Sequence, residues 1–129
     1  MAKRRSVNFP GFKHQNPIPN ASRIGNLMLS SVISGVDPGT RNMPAELSKQ
    51  VANIFGHIRA CVEAAGGTVD DIIKIEFWMK DPATGRAALN DEWVKMFPDA
   101  EARPARQVMV TAMEPDVLVQ CDFMAVLPG

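Results

Sequence analysis

The chain has 129 residues, which suits one domain around one core, and 46% of them are hydrophobic, which excludes a disordered chain. Fourteen basic and fourteen acidic side chains cancel, so the composition argues against a nucleic-acid-binding protein, because phosphate binding needs a basic surface. No apolar run approaches the roughly 20 residues that cross a bilayer, and the start of the chain lacks the apolar core of a secretory signal, so we expect no membrane association.

The two cysteines, Cys61 and Cys121, lie in apolar periodic segments, where buried free thiols are common. This favours a reduced, cytoplasmic protein over a disulfide-bonded one. Together with the two histidines, His14 and His57, the cysteines show no spacing typical of metal ligands. We therefore expect no zinc site.

The chain begins with a segment that differs in composition from the rest. Residues 1–20 are polar and rich in Pro and Asn, which is typical of an extended N-terminal arm and leaves room for one more strand. Residues 21–129 are expected to form a single domain. Within this domain the apolar run at 26–36 predicts a strand, and DPGT at 37–40 predicts a turn, because Pro presets φ and Gly tolerates positive φ.

A helix is predicted from about Pro44 to the glycine pair Gly66-Gly67. Pro suits the first turn of a helix, and Gly suits the left-handed residue that ends one. Between them, apolar side chains recur at steps of three and four residues, which is the pattern of one buried stripe. The residues of this stripe are Leu47, Val51, Ile54, Phe55, Ile58, Cys61 and Val62.

The segment at 72–80 alternates in the manner of a strand. The residues expected to face the helices are Ile73, Ile75, Phe77 and Met79, and those expected on the other face are Ile72, Lys74, Glu76, Trp78 and Lys80.

The C-terminal half of the chain predicts one more helix and two more strands. The helix covers about 86–97, and the strands cover about 106–112 and 117–126. The helix residues expected to face inward are Leu89, Trp93, Val94 and Phe97.

The resulting order, β-α-β-α-β-β, predicts an α+β sandwich, in which a mixed sheet carries two helices on one face. Both faces of the last strand are largely apolar. One face is accounted for by the helices, whereas an exposed apolar sheet face is unusual in a soluble monomer. We therefore expect a homo-oligomer.

Two charged residues interrupt the last two strands. Asp122 alternates with Gln120 on the face away from the helices, and its apolar sequence neighbours predict a raised pKa, which suits proton transfer near neutral pH. Arg106 begins the preceding strand after the rigid Pro104, and a fixed guanidinium suits bidentate capture of a carboxylate. The alternative is that Arg106 and Asp122 form a structural ion pair.

Four segments, taken in order, carry a resemblance. They are VEAAGGTVDDIIKIEFWMKD (62–81), LNDEWVKMFP (89–98), RPARQVM (103–109) and VLVQCDFMAV (117–126). They resemble the helix end and third strand, the asparagine-containing helix, the Pro-Ala-Arg signature and the final strand of the Rid family. Members of this family are reactive intermediate deaminases and are also called YjgF-like proteins.

The resemblance implies a chorismate-mutase-like fold and a homotrimer with a central barrel and active sites between subunits. It also implies hydrolysis of a reactive enamine or imine to a ketone and ammonia, as in 2-iminobutanoate/2-iminopropanoate deaminases. Arg106 then binds the substrate carboxylate and Asp122 places the water, with no metal or organic cofactor needed. The expected substrate-binding residues are Arg106, Asn90, Ser31, Ile18, Gln107 and Gln120.

The chain departs from the family pattern near the expected site. Asp122 stands where the family usually has Glu, Val108 where it often has Cys, and Val32 where it usually has Gly. The chain has no Tyr, and Ile18 is nearest to the position of the usual arm tyrosine. These differences indicate a remodelled pocket, so that the substrate stays open between a simple 2-imino acid and a diacid such as an aminomuconate-like enamine.

Two other functions compete with deamination. One is a trimer of the same fold that binds a carboxylate metabolite, or acts as a chaperone, without turnover. The other is RNA cleavage or translation inhibition, a label that some relatives carry, and the zero net charge weighs against it.

Overall fold

In the computed structural model, which describes residues 3–129, seven strands form one mixed sheet and two helices pack on one face of it. The α+β class predicted from the sequence is therefore confirmed. The strands are β1 (Arg4–Val7), β2 (Ala21–Ile24), β3 (Leu27–Ser30), β4 (Ile33–Ser34), β5 (Ile72–Met79), β6 (Ala105–Val110) and β7 (Val119–Val126), and the helices are α1 (Leu47–Ala64) and α2 (Pro82–Met96).

The sheet has the order β1-β2-β3-β7-β5-β6, and the short β4 also pairs with β7. All neighbours are antiparallel except β5 and β6, which run parallel and are connected through α2. The last strand of the chain thus lies at the centre of the sheet, whereas β6 lies at one edge.

The N-terminal third contains more strands than the sequence predicted. The single strand expected at 26–36 is wrong: the chain forms β3, leaves the sheet, and returns as β4. A two-residue turn joins β2 to β3, with Gly25 at φ 57°, a backbone conformation that glycine adopts without steric cost.

The N-terminal arm is fastened to the domain. Strand β1 pairs with β2, and the buried side chain of Asn20 holds the loop that follows β1. Asn20 accepts a hydrogen bond from the backbone N–H of Phe9 at 3.1 Å and donates one to the carbonyl of Phe12 at 2.7 Å. The aromatic side chains of Phe9 and Phe12 therefore join the core.

Helix α1 buries the predicted stripe and two polar residues. Gln50 is fully buried and donates to the carbonyls of Pro44 and Asp116, while its own carbonyl accepts from the backbone N–H of Leu118. His57, which lies off the stripe, is buried too and contacts the carbonyl of Val36 at 2.8 Å. These bonds tie the helix to the loops that follow β4 and precede β7.

The alternation predicted for β5 is wrong at its first two residues. Ile72 is buried and Ile73 is 49% exposed, because a bulge between Ile72 and Lys74 adds one residue to β5 opposite β7. From Ile75 onward the prediction holds, and Ile75, Phe77 and Met79 are fully buried against the helices.

Helix α2 begins four residues earlier than predicted. Asp81 lies just after β5 and caps the helix by accepting a hydrogen bond from the backbone N–H of Ala83 at 3.1 Å, and Pro82 occupies the first turn. Leu89 and Trp93 face inward as predicted, whereas the prediction for Val94 is wrong, because its side chain is 47% exposed.

We call the side of the sheet that packs on α1 and α2 the helix face, and the opposite side the open face. In β7, Val119, Cys121, Phe123 and Ala125 are buried on the helix face, and the residues between them are less buried on the open face. Exposed apolar side chains on the open-face side of β3 and β7 are Leu27, Leu29 and Val126.

Candidate active site

Arg106 lies on the helix face, at the edge of the sheet. It is the second residue of β6 and is in register with the buried Ile75 of β5, so its side chain extends toward α2. The guanidinium carbon lies 5.0 Å from the centre of the Trp93 ring. Because Trp93 is itself packed against Phe77 and Phe97, the indole is a rigid support for the arginine.

Among residues 3–129, the guanidinium of Arg106 has no counter-ion. None of the ion pairs formed by residues 3–129 involves Arg106. Partial burial lowers the pKa of Arg106, and the positive charge of Arg86 on α2 lowers it further. A half-buried cation beside a second cation favours an anionic ligand, and a carboxylate matches the planar donor fork of a guanidinium.

Asp122 lies near the middle of the open face. It is in register with Glu76 of the neighbouring β5. Burial raises the pKa of the Asp122 carboxyl, the nearby Glu76 raises it further, and Lys74 acts in the opposite direction. The sequence-based expectation of a raised pKa is thus supported, and the structure adds a second carboxylate as one of its causes.

A small cavity opens beside the Asp122 side chain. Its volume is about 50 Å³, which suits a bound water molecule. The lining consists of Leu29, Ser30, Lys74, Glu76, Asp122, Phe123 and Met124. The Ser30 hydroxyl is fixed there because it accepts a hydrogen bond from the backbone N–H of Phe123 at 2.9 Å. The site therefore has a place for water next to a carboxyl of raised pKa.

Arg106 and Asp122 do not meet within one subunit. They lie on opposite faces of the sheet, and β5 separates β6 from β7. The alternative that they form a structural ion pair is therefore wrong for the single chain. A site that uses both groups requires Arg106 of one subunit and Asp122 of another.

The remaining residues expected to bind substrate are distributed over both faces and the arm. Gln107 is in register with Glu76, so it continues the polar row that contains Asp122, and Gln120 lies two residues before Asp122 on the same face. Asn90 is exposed on α2, one turn before Trp93. The structure thus groups Gln107 and Gln120 with Asp122, whereas Asn90 lies on the helix that carries Trp93, the support of Arg106.

Ser31 and Ile18 fall outside the Asp122 cavity. The Ser31 hydroxyl donates to the carbonyl of Pro19 at 2.8 Å, so its neighbour Ser30, not Ser31, lines the cavity. Ile18 is 45% exposed on the arm. Both residues lie where the arm meets the end of β3, close to the domain surface.

Sequence reasoning placed Lys74 and Glu76 on the correct face but did not assign them to the site. The available signal was two charges, two residues apart, on a strand whose other face is fully apolar. Their proximity to Asp122 depends on the register between β5 and β7, which no local pattern specifies. The Trp93 support for Arg106 was likewise predicted only as a core residue.

Residues 3–129 contain no cluster of the kind that binds a metal ion. No three or more histidine, cysteine, aspartate or glutamate side chains lie together there in a group that could hold one. In the same part of the chain, neither helix is long and apolar enough to cross a membrane.

Comparison with known proteins identifies the family to which the chain is similar. Residues 13–127 match the profile of a family described as Endoribonuclease L-PSP. A "RutC family protein" of Haemophilus influenzae is 33% identical over 113 residues, which are 85% of this chain and 86% of that protein. The "2-iminobutanoate/2-iminopropanoate deaminase" of Escherichia coli is 32% identical over 105 residues, 80% of this chain and 81% of the enzyme.

A solved structure gives the same fold. The crystal structure of RidA from the Antarctic bacterium Psychrobacter sp. PAMC 21119 superposes with a TM-score of 0.86, at 24% identity, over 95% of this chain and 99% of that one.

Proposed function

The chain belongs to the L-PSP family, the Rid or YjgF-like proteins, and from this we propose that it hydrolyses a reactive enamine or imine that bears a carboxylate, releasing a 2-oxo acid and ammonia. The observation that carries the proposal is the Arg106 guanidinium, which lies on the Trp93 indole and has no counter-ion in the part of the chain that the structure describes. The name of the Escherichia coli relative, a deaminase of two small 2-imino acids, agrees with it.

Arg106 holds the substrate by its carboxylate. Two parallel N–H···O hydrogen bonds fix both the position and the plane of the carboxylate, so the adjoining C=N carbon is held in one place. Stacking on Trp93 restricts the guanidinium beforehand, which lowers the entropy lost on binding. Arg86 supplies a second positive charge that attracts the anion.

Asp122 handles the water and the protons. In the proposed reaction, the Asp122 carboxylate accepts a proton from water while the water oxygen bonds to the carbon of the protonated imine. The π electron pair of the C=N bond moves to nitrogen, which becomes a neutral amino group. The protonated Asp122 then returns the proton to that nitrogen. Loss of the hydroxyl proton to solvent forms the C=O bond as the C–N bond breaks and ammonia leaves, so atoms and charge balance.

The functional unit in this proposal is a homotrimer. The exposed apolar side chains of the open face, such as Leu27, Leu29 and Val126, provide a surface that a neighbouring subunit would cover. Assembly also brings Arg106 of one subunit toward Asp122 of another, which the single chain cannot do. The active site then lies between subunits.

Imine hydrolysis is the direct test. An amino-acid oxidase generates 2-iminopropanoate and longer 2-imino acids, and semicarbazide trapping reports the imine that survives. We expect the wild type to suppress trapping, Arg106→Ala to lose about 100-fold in kcat/KM, and Asp122→Asn to lose a similar factor. The control is Arg59→Ala, which removes an exposed arginine of α1 that pairs with Glu63.

The alternative of carboxylate binding without turnover gives a different result. In that case the wild type is silent on every imino acid although it remains folded and assembled. It binds a 2-oxo acid such as 2-oxobutanoate, Arg106→Ala abolishes the binding, and Asp122→Asn does not. Calorimetric titration of the three proteins distinguishes this outcome from deamination.

A further inference from the structure

Glu76 places a second carboxylate next to Asp122, and the proposed reaction does not use it. Glu76 and Asp122 are opposite each other on adjoining antiparallel strands and face the same cavity. Directly opposed residues have Cβ atoms about 4.5–5.5 Å apart, and like charges in such positions are destabilising. The chain therefore keeps an unfavourable pair at the place where the proposed water is held.

The charged surroundings of the pair are simple. On β5, Lys74 lines the same cavity one step along the open face. On β3, the lining residues Leu29 and Ser30 are uncharged, and on β7 the flanking open-face residues Gln120 and Met124 are uncharged as well. Within the described subunit, Asp122 is thus faced by one anion, Glu76, and one cation, Lys74.

These two neighbours have opposite effects on proton binding at Asp122. Glu76 raises the pKa of the Asp122 carboxyl and Lys74 lowers it, in addition to the rise caused by burial. A like charge nearby disfavours the ionised form of a carboxyl group, so the charge of Glu76 favours the protonated form of Asp122. Glu76 thereby makes Asp122 a stronger base than an aspartate alone at this depth of burial.

We propose that Glu76 is a positioning residue for Asp122: from the opposed position on the neighbouring strand, at one water-sized cavity, it sets the pH range in which Asp122 takes a proton from water. This role rests on the proposed deamination, in which Asp122 is the base. Glu76 itself does not contact the substrate and acts only through its neighbour. Lys74 acts against it and limits the effect.

The pH profile of imine hydrolysis tests the role. The acidic limb of kcat/KM reports ionisation of the base in the free enzyme. Glu76→Gln keeps the size of the side chain and removes its charge, so we expect the limb to move to lower pH by about one unit. Lys74→Met removes the cation, and the limb then moves to higher pH. Glu63→Gln, at an exposed carboxylate on α1, is the control and leaves the profile unchanged.

The opposite shifts expected for Glu76→Gln and Lys74→Met distinguish this role from a purely structural one. A general loss of stability lowers activity at every pH and shifts no limb, and size-exclusion chromatography of each variant shows whether assembly is intact. If Glu76→Gln and Lys74→Met give the wild-type profile, or shift it in the same direction, the proposal is wrong.

A second measurement does not depend on activity. Carbon-13 NMR of the side-chain carboxyl follows Asp122 directly as pH is changed, with the signal assigned by Asp122→Asn. We expect the midpoint to fall in Glu76→Gln and to rise in Lys74→Met. An unchanged midpoint in both variants overturns the coupling. If the midpoints move but the wild type hydrolyses no imine, the coupling stands, whereas the catalytic role of Glu76 and the deaminase function both fail.

Discussion

The two faces of the sheet differ in what they contain and in what that permits. On the helix face, the apolar side chains of β5 and β7 are buried under two helices, and the charged Arg106 lies on the edge strand β6. The open face mixes exposed apolar residues with Lys74, Glu76 and Asp122 around a small cavity. The comparison indicates that the helix face holds the subunit together, while assembly and proton transfer are the roles that we propose for the open face.

The largest expected effect comes from the core of the helix face. Phe77 is fully buried and packs against Phe55 and Trp93, so Phe77→Ala should lower the free energy of unfolding by about 3–5 kcal/mol. Ile73 lies on the same strand, at the exposed bulge, and Ile73→Ala is the matched variant. It should change the free energy of unfolding of the isolated subunit by less than about 0.5 kcal/mol. Urea unfolding at one protein concentration measures both. Equal losses would contradict the division between the faces.

A charge on the open face should separate assembly from folding. Leu27→Lys places an ammonium on an apolar, 45% exposed position of β3. We expect the subunit affinity to fall about 100-fold, while circular dichroism stays native. Val94→Lys, at an equally exposed site on α2, is the control. Analytical ultracentrifugation compares the two, and an unchanged mass for Leu27→Lys would show that this face is not an interface.

Asp122→Asn should stabilise the protein in a pH-dependent way. Because the pKa of Asp122 is raised in the folded state, folding favours the protonated form, and this stabilisation is lost as pH rises through the raised value. Asparagine stays neutral, so the variant should have the higher Tm near pH 7. The difference should shrink as pH falls toward about 4, where an unfolded aspartate also becomes protonated. Thermal unfolding at several pH values checks this, and a Tm difference that does not vary with pH contradicts it.

The smallest effect is expected for the reactivity of the two cysteine thiols. Burial raises the pKa of the Cys61 thiol to about 12 and that of Cys121 well above its ordinary value. Both are free and buried on the helix side, so neither should react with a thiol reagent at pH 8 until the protein unfolds. A rapid reaction of the native protein would show that this face opens more readily than its packing indicates.

The elements predicted well from sequence are those with a strong local period. The stripe of α1 and the alternation of β5 after Ile75 each follow from apolar spacing, because one face must be buried. The hairpin at Gly25, the bulge at Ile73 and the early start of α2 were missed. Each of these depends on backbone geometry or capping that a hydrophobic pattern does not record.

The arrangement of the candidate site could also be predicted only in part, because it depends on residues that are distant in sequence. Arg106 and Asp122 were identified as unusual charges, but strand register decides which face each occupies and which residues lie beside it. That register places Glu76 against Asp122 and puts β5 between the two expected partners. Their separation within one subunit could not be predicted, since it depends on pairing between segments distant in the chain.

The central claim is that Arg106 of one subunit works with Asp122 of another, and mixed oligomers test it directly. We expect oligomers made of Arg106→Ala subunits alone, or of Asp122→Asn subunits alone, to be inactive. In the experiment, the two variants are denatured, combined in equal amounts and refolded together. In a closed ring with random mixing, about a quarter of the sites receive a native arginine from one subunit and a native aspartate from its neighbour. We predict imine hydrolysis at about a quarter of the wild-type rate. A mixture that stays as inactive as the two variants refolded separately would contradict the shared site.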